Sequence, residues 1–173
     1  MRACCYSRRR GCRARRSRRA QAQGIDPARV AFVGHQPRRL YLETYHCIDL
    51  ALDSFPYNGH TTSLDAFWMG VPVVTRTGRS AASRGGWGIA ANLGMPELVA
   101  HSDDDFVRIA TGLARDLPRL AALRAGLRAR MKASPLMDAP RFAANIERAY
   151  RQMWRAWCQD QEVKRTARLS SQA

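Results

Sequence analysis

Short apolar runs alternate along this chain with segments whose apolar residues recur at helical spacing. Residues 28–34, Ala-Arg-Val-Ala-Phe-Val-Gly, read as a buried strand after a helix stop at Gly24. Residues 38–47 read as a short helix that packs Leu42, Tyr45 and Cys47. Ile48–Leu52 is a second strand, 61–69 a helix, and Val71–Thr75 a third strand after a tight turn at Gly70. A helix that starts within 81–90 ends at Gly94, and Glu97–Ala100 reads as a last short strand. Ser102, followed by Asp103, Asp104 and Asp105, caps a helix to about Arg115. Residues 117–133 set Leu117, Leu120, Leu123, Leu127 and Met131 on one face of a basic amphipathic helix. Asp138 opens the final helix, where Phe142, Ile146, Tyr150, Met153 and Trp157 recur at helical spacing. Such a stripe is expected to pack into the core, and the polar tail after Gln159 to fray.

Alternating strands and helices predict an α/β fold, a Rossmann-like parallel sheet with helices on both faces. Ligands of such sheets lie at the carboxyl ends of the strands. The run Asn58-Gly59-His60-Thr61-Thr62 falls at that edge, inside a βαβ unit. Gly59 permits close backbone approach. Thr61 and Thr62 open the helix with free N–H groups and two hydroxyls. Unpaired N–H groups and the helix dipole both favour negative charge there, and a phosphate or diphosphate is the expected guest. A competing reading makes Thr62 an N-cap, with Asp65 completing a capping-box-like pattern. His60 either reaches phosphate or is an ordinary loop histidine. His35, His46 and His101 show no metal-ligand spacing.

The formal net charge is +15, and nine arginines with no acid lie within residues 1–24. That run has no apolar stretch of a secretory signal, and it reads as a disordered or partly helical leader. Nucleic-acid binding through it is expected to be electrostatic and non-specific. The five cysteines, Cys4, Cys5, Cys12, Cys47 and Cys158, form no zinc or disulfide pattern. Cys47 is expected buried and reduced, and a cytoplasmic compartment follows as the default. No apolar run reaches membrane-spanning length, so no membrane association is expected. The domain reading is a leader over 1–24, a Rossmann-like nucleotide-sugar-binding domain with C-terminal helices over 25–158, and a tail over 159–173.

Residues 49–62, Asp-Leu-Ala-Leu-Asp-Ser-Phe-Pro-Tyr-Asn-Gly-His-Thr-Thr, lead on to residues 65–75, Asp-Ala-Phe-Trp-Met-Gly-Val-Pro-Val-Val-Thr. Together they resemble the O-linked N-acetylglucosamine transferase (SPINDLY-type) family. The match continues through Gly78, Ser83-Arg84 and residues 92–100, and covers roughly residues 26 to 157. The resemblance implies the C-terminal half of a GT-B type glycosyltransferase, truncated relative to the family. It implies that Gly59, His60, Thr61 and Thr62 face the diphosphate of the donor and that Asp65 contacts its ribose. Gln36 and Arg38 stand in the loop that faces the uracil base and ribose. Tyr41 stands where some members carry a base-stacking histidine, and Thr44 where some carry arginine. Arg84 either supports the diphosphate side of the cleft or pairs with an acid.

The implied reaction is inverting transfer of N-acetylglucosamine from UDP-N-acetylglucosamine to Ser or Thr of an acceptor protein. UDP-N-acetylglucosamine enters as donor substrate, and neither a cofactor nor a metal is implied. The family's general bases lie in an N-terminal catalytic half with no counterpart here. No catalytic residue is therefore assigned, and that half, or a chain bearing tetratricopeptide repeats, is an expected partner. A UDP-glucose-dependent glucosyltransferase acting on asparagine, and a non-catalytic UDP-binding remnant, stay open beside this reading.

Overall fold

The computed structural model of the chain describes residues 3–6 and 17–170. The elements are β1 (Ala3–Tyr6), α1 (residues 17–22), β2 (Val30–Val33), α2 (Arg38–Thr44), β3 (Ala51–Leu52), α3 (Thr61–Trp68) and β4 (Val73–Arg76). They continue with α4 (Gly85–Asn92), β5 (Val99–Ala100), α5 (Asp103–Arg115), α6 (Leu117–Ala133) and α7 (Ala139–Ser170). All strand pairs are parallel. β1 runs beside β2, with Ala3 opposite Val30 and Tyr6 opposite Val33. The other sheet has the order β3-β4-β5, with Ala51 opposite Val73 and Thr75 opposite Val99. The expected α/β architecture is present, a parallel three-stranded sheet flanked by helices.

The stretch read from sequence as a leader contains the strand β1 and the helix α1; its residues 7–16 lie outside those described. The strand expected at Ile48–Leu52 is shorter, Ala51–Leu52. The cause is local. A 3-10 turn at Tyr45–Cys47 takes the Ile48 N–H onto the Tyr45 carbonyl at 3.1 Å, and the Arg124 guanidinium donates to the Ile48 carbonyl. Ile48 therefore spends both backbone groups outside the ladder. The same turn corrects Cys47: Tyr45 faces the core and Cys47 is exposed.

Between α3 and β4 the chain reverses at Gly70, with φ 79°, where a Cβ would also press on the Arg124 carbonyl oxygen at 3.2 Å. The turn delivers Val71, Val73 and Val74 into the core beside Phe67, Met95, Leu98 and Leu127. The amphipathic reading of 117–133 matches α6 residue for residue. Leu120, Leu127 and Met131 are buried against α3 and α5, while Leu117, at the first turn, is exposed. Ser102 caps α5, its hydroxyl accepting from the Asp105 N–H at 3.1 Å, and Asp138 accepts from the Arg141 N–H at 3.0 Å ahead of α7.

The last helix departs from expectation twice. It continues to Ser170 through the tail expected to fray from Gln159, with Asp160 and Lys164 paired along it. Its aromatic stripe is not core: Phe142, Tyr150, Met153, Trp154 and Trp157 are all more than half exposed. Helical periodicity shows that one face is apolar; it does not say what covers that face. α7 meets the rest of the domain mainly through the turn at Pro135–Met137. Among the described residues no helix is long and apolar enough to cross a membrane.

Since α7 adds little to the core, a chain ending at Asp138 should melt cooperatively. Its Tm should lie within about 4 °C of the full chain, the shift that ~1 kcal/mol produces at this size. Circular dichroism melting checks this, and loss of a cooperative transition would show that α7 is part of the folding unit.

Candidate functional site

The site is built from the loops that leave β3 and β4. β3 ends at Leu52, and the Asp53 N–H still bonds the Val74 carbonyl at 2.9 Å. The Asp53 carboxylate then turns the chain. Oδ1 accepts from the N–H groups of Ser54 (2.9 Å) and Gly59 (2.6 Å), and Oδ2 accepts from the Thr75 hydroxyl on β4 (2.8 Å). Asn58 is fully buried. Its amide donates to the carbonyls of Ser54 (3.0 Å) and Arg76 (3.3 Å), and its oxygen accepts from the Gly86 N–H of α4 (3.4 Å). The loop is thus referenced to the central strand and to the next helix. A Cβ on Gly59 would lie 2.6 Å from Ser63 Oγ and 2.7 Å from Thr62 Oγ1, so the close approach expected there is to the first turn of α3.

His60 occupies the N-cap of α3, and no side chain caps the helix. The capping-box reading of Thr62 and Asp65 is therefore not realised. The first helical N–H to find a partner is that of Leu64, on the His60 carbonyl at 3.0 Å. Among the described residues the N–H groups of Thr61, Thr62 and Ser63 have none, and the Thr61 and Thr62 side chains are exposed. That leaves partial positive charge at an accessible helix start on the carboxyl edge of the sheet.

Asp65 points instead to α2. Its two oxygens accept from Arg38 Nη1 and Nη2, both at 2.7 Å, in a bidentate pair. The Asp65 side chain is 11% exposed and that of Arg38 62%. The hydrogen bond to Asp65 holds the Arg38 guanidinium above its ordinary range. Tyr41 and Tyr45 meet hydroxyl to hydroxyl at 2.6 Å, and the Tyr45 hydroxyl donates to the Thr62 carbonyl at 3.2 Å. Burial pushes both phenols up, Tyr45 further, where the bond to Tyr41 adds to burial. Gln36 is anchored to the end of α2, its Oε1 3.0 Å from the Thr44 hydroxyl.

The second helix start closes the edge. A Cβ on Gly85 would lie 2.4 Å from His60 Nε2, so the imidazole rests against the first residue of α4. A Cβ on Gly86 would lie 2.0 Å from Thr75 Oγ1. Ser83 is buried, its Oγ 2.9 Å from both the hydroxyl and the carbonyl of Ser80. Arg84 stacks on Trp87, 4.8 Å from the ring centroid, and among the described residues no acid pairs with it. Arg76, at the end of β4, pairs with Asp103 and lies over the Phe55 ring at 4.2 Å, with its Nε buried and without a partner.

Arg38, Tyr41, Thr62 and Asp65 are thus joined by hydrogen bonds, and Gly59, His60 and Arg84 adjoin them through the two helix starts. Gln36 is linked only through α2. Sequence reasoning gave no site role to Asp53, Asn58, Tyr45 or Arg76. Asp53 and Asn58 stood inside the recognised run, but nothing in spacing distinguishes an acid that orders a loop from one that contacts a ligand.

The phenols give a pH prediction. Their folded pKa values are raised above the ordinary 10.0, so the unfolded chain releases its protons first. Stability should be fully present below about pH 10 and fall as the pH rises beyond it. Urea denaturation across that range checks this, and Tyr45→Phe should flatten the alkaline limb; an unchanged slope would remove Tyr45 from the buried network.

With this geometry in place, comparison with known proteins identifies its setting. Residues 11–146 match the model of glycosyl transferase family 41. The chain is 41% identical over 118 residues to a probable UDP-N-acetylglucosamine–peptide N-acetylglucosaminyltransferase SPINDLY of Eustoma exaltatum subsp. russellianum, covering 68% of this chain and 13% of that protein. It is 34% identical over 135 residues to the UDP-N-acetylglucosamine–peptide N-acetylglucosaminyltransferase of Caenorhabditis elegans, covering 78% of this chain and 12% of that one. A solved structure, a mutant O-GlcNAc transferase of Thermobaculum terrenum, superposes with a TM-score of 0.81 at 41% identity, over 87% of this chain and 29% of that chain. The chain therefore spans only about an eighth of the length of these two curated relatives. A family match over residues 11–146, with relatives about 40% identical over most of the chain, establishes that this chain belongs to glycosyl transferase family 41, the O-GlcNAc transferase (SPINDLY-type) family.

Proposed function

We propose that this chain is the donor-binding part of a protein O-GlcNAc transferase, which holds UDP-N-acetylglucosamine at the start of α3. The observation that carries the reading is the unpartnered first turn of α3 at the carboxyl edge, with Thr61 and Thr62 exposed. Diphosphate oxygens are suited to those N–H groups and hydroxyls, and the positive end of the helix dipole opposes the charge that develops on the leaving group. Arg84 adds a cation beside the second helix start. Gln36, Arg38 and Tyr41 form the shoulder that receives the nucleoside, where an aromatic ring next to a guanidinium offers stacking and polar contact to a pyrimidine. Asp65 reaches the ribose only by sharing or releasing Arg38, because that pair already occupies both of its oxygens.

Isothermal titration of UDP against the wild type and a Thr61→Ala/Thr62→Ala variant tests this. Loss of hydrogen bonds to a charged group should cost about 1.5–3 kcal/mol of affinity. Equal affinity in both proteins would remove the helix start from the site.

The reading also divides the labour of the reaction. The chemistry is inverting transfer to Ser or Thr, and this part supplies leaving-group stabilisation rather than a base. Both carboxylates at the edge are engaged, Asp53 by three donors and Asp65 by Arg38. Placing an acceptor hydroxyl in line with the anomeric carbon accounts for a large share of the rate, and that surface belongs to the partner half. The purified 173-residue chain should therefore give no measurable transfer from radiolabelled UDP-N-acetylglucosamine to acceptor peptides, and an added N-terminal half from a relative should restore it. Turnover by the chain alone would overturn this division. The engagement of both edge carboxylates also fits a second reading, a non-catalytic UDP-binding remnant. UDP binding without restored transfer would support it.

A further inference from the structure

Asp53 brings a negative charge to an edge of helix N-termini, where Asp65 and Asp103 are paired with Arg38 and Arg76 but no cation pairs with Asp53 among the described residues. Its Oδ1 lies 2.6 Å from the Gly59 N–H, two residues before α3 begins. By Coulomb's law alone, a carboxylate so close to a bound diphosphate opposes binding. Its contacts point the other way. One oxygen gathers the two ends of the loop at Ser54 and Gly59, while the other is held by Thr75, which is buried on β4. The packing around it is tight, since a Cβ on Gly86 would lie 2.6 Å from Oδ2.

We infer that Asp53 is a positioning residue for the diphosphate: its carboxylate sets the Ser54–Gly59 loop against β4, and thereby orients the first turn of α3 toward the donor. The inference rests on the donor-site reading above and adds a residue that touches no ligand. Charge and positioning make opposite predictions for Asp53→Ala. Removing the negative charge alone tightens UDP binding; losing the anchor weakens it. Asp53→Asn separates the two further. The amide oxygen still accepts from Gly59 and Ser54, its NH2 group still faces the Thr75 hydroxyl, and the charge is gone.

The test titrates the 173-residue chain and its variants with UDP and with uridine, followed by NMR, and measures amide exchange over residues 59–64. Asp53→Ala should weaken UDP about tenfold or more while leaving uridine within about twofold, and should speed exchange of those amides. Asp53→Asn should recover wild-type affinity or bind UDP more tightly. Should Asp53→Ala fail to fold, Thr75→Val carries the test, because it removes only the hydroxyl that holds Oδ2; it should weaken UDP and spare uridine. UDP binding at wild-type strength in Asp53→Ala or Thr75→Val overturns the inference, as does equal loss of UDP and uridine, which marks a merely structural role. A wild type that binds neither ligand overturns the donor-site reading itself, and this inference with it.

Discussion

The Asp53 carboxylate, held between the Thr75 hydroxyl and the Gly59 and Ser54 N–H groups, is the constraint on which the carboxyl edge of this sheet depends. A parallel strand ends with its chain heading away from the sheet, and nothing in the ladder dictates where the following helix begins. Here a side chain supplies that instruction. Asn58 extends it, tying the same loop to the end of β4 and to the start of α4. Two successive βα loops are thereby locked together, and two helix starts come to lie side by side. Such an arrangement concentrates partial positive charge, which a bound anion offsets.

The other wall is set by α2. Arg38 grips Asp65 in a bidentate pair, and Tyr45 passes a hydrogen bond from Tyr41 to the Thr62 carbonyl. An ion pair with one exposed partner adds little to stability. Its consequence is geometric, because it holds α2 in register with the start of α3. The phenol pair is largely withdrawn from water, and this burial raises both pKa values. Glycines at 59, 85 and 86 leave room where any Cβ would meet a side chain of the site.

α7 stands apart from this logic. Its apolar face is exposed over several turns, and it joins the domain mainly through the Pro135–Met137 turn. Large exposed apolar faces on a single helix signal contact with something else. The chain spans 29% of the solved relative's chain.

The sequence by itself determined the period of each segment, and with it the parallel α/β class, α6 to the residue, the Gly70 turn and the Ser102 and Asp138 caps. These are local: each depends on residues within a turn or two. The recognised run also located the helix start at Thr61. Only the tertiary structure decided the rest. Whether Cys47 or Tyr45 entered the core depended on a 3-10 turn completed by Arg124, 76 residues after Ile48. Whether Asp65 capped its own helix or paired with another depended on where α2 placed Arg38. Whether the stripe on α7 was covered depended on neighbours outside its own helix. A side chain's chemistry is written in its identity, but its partner is set by contacts distant in sequence, and spacing along the chain carries no record of them.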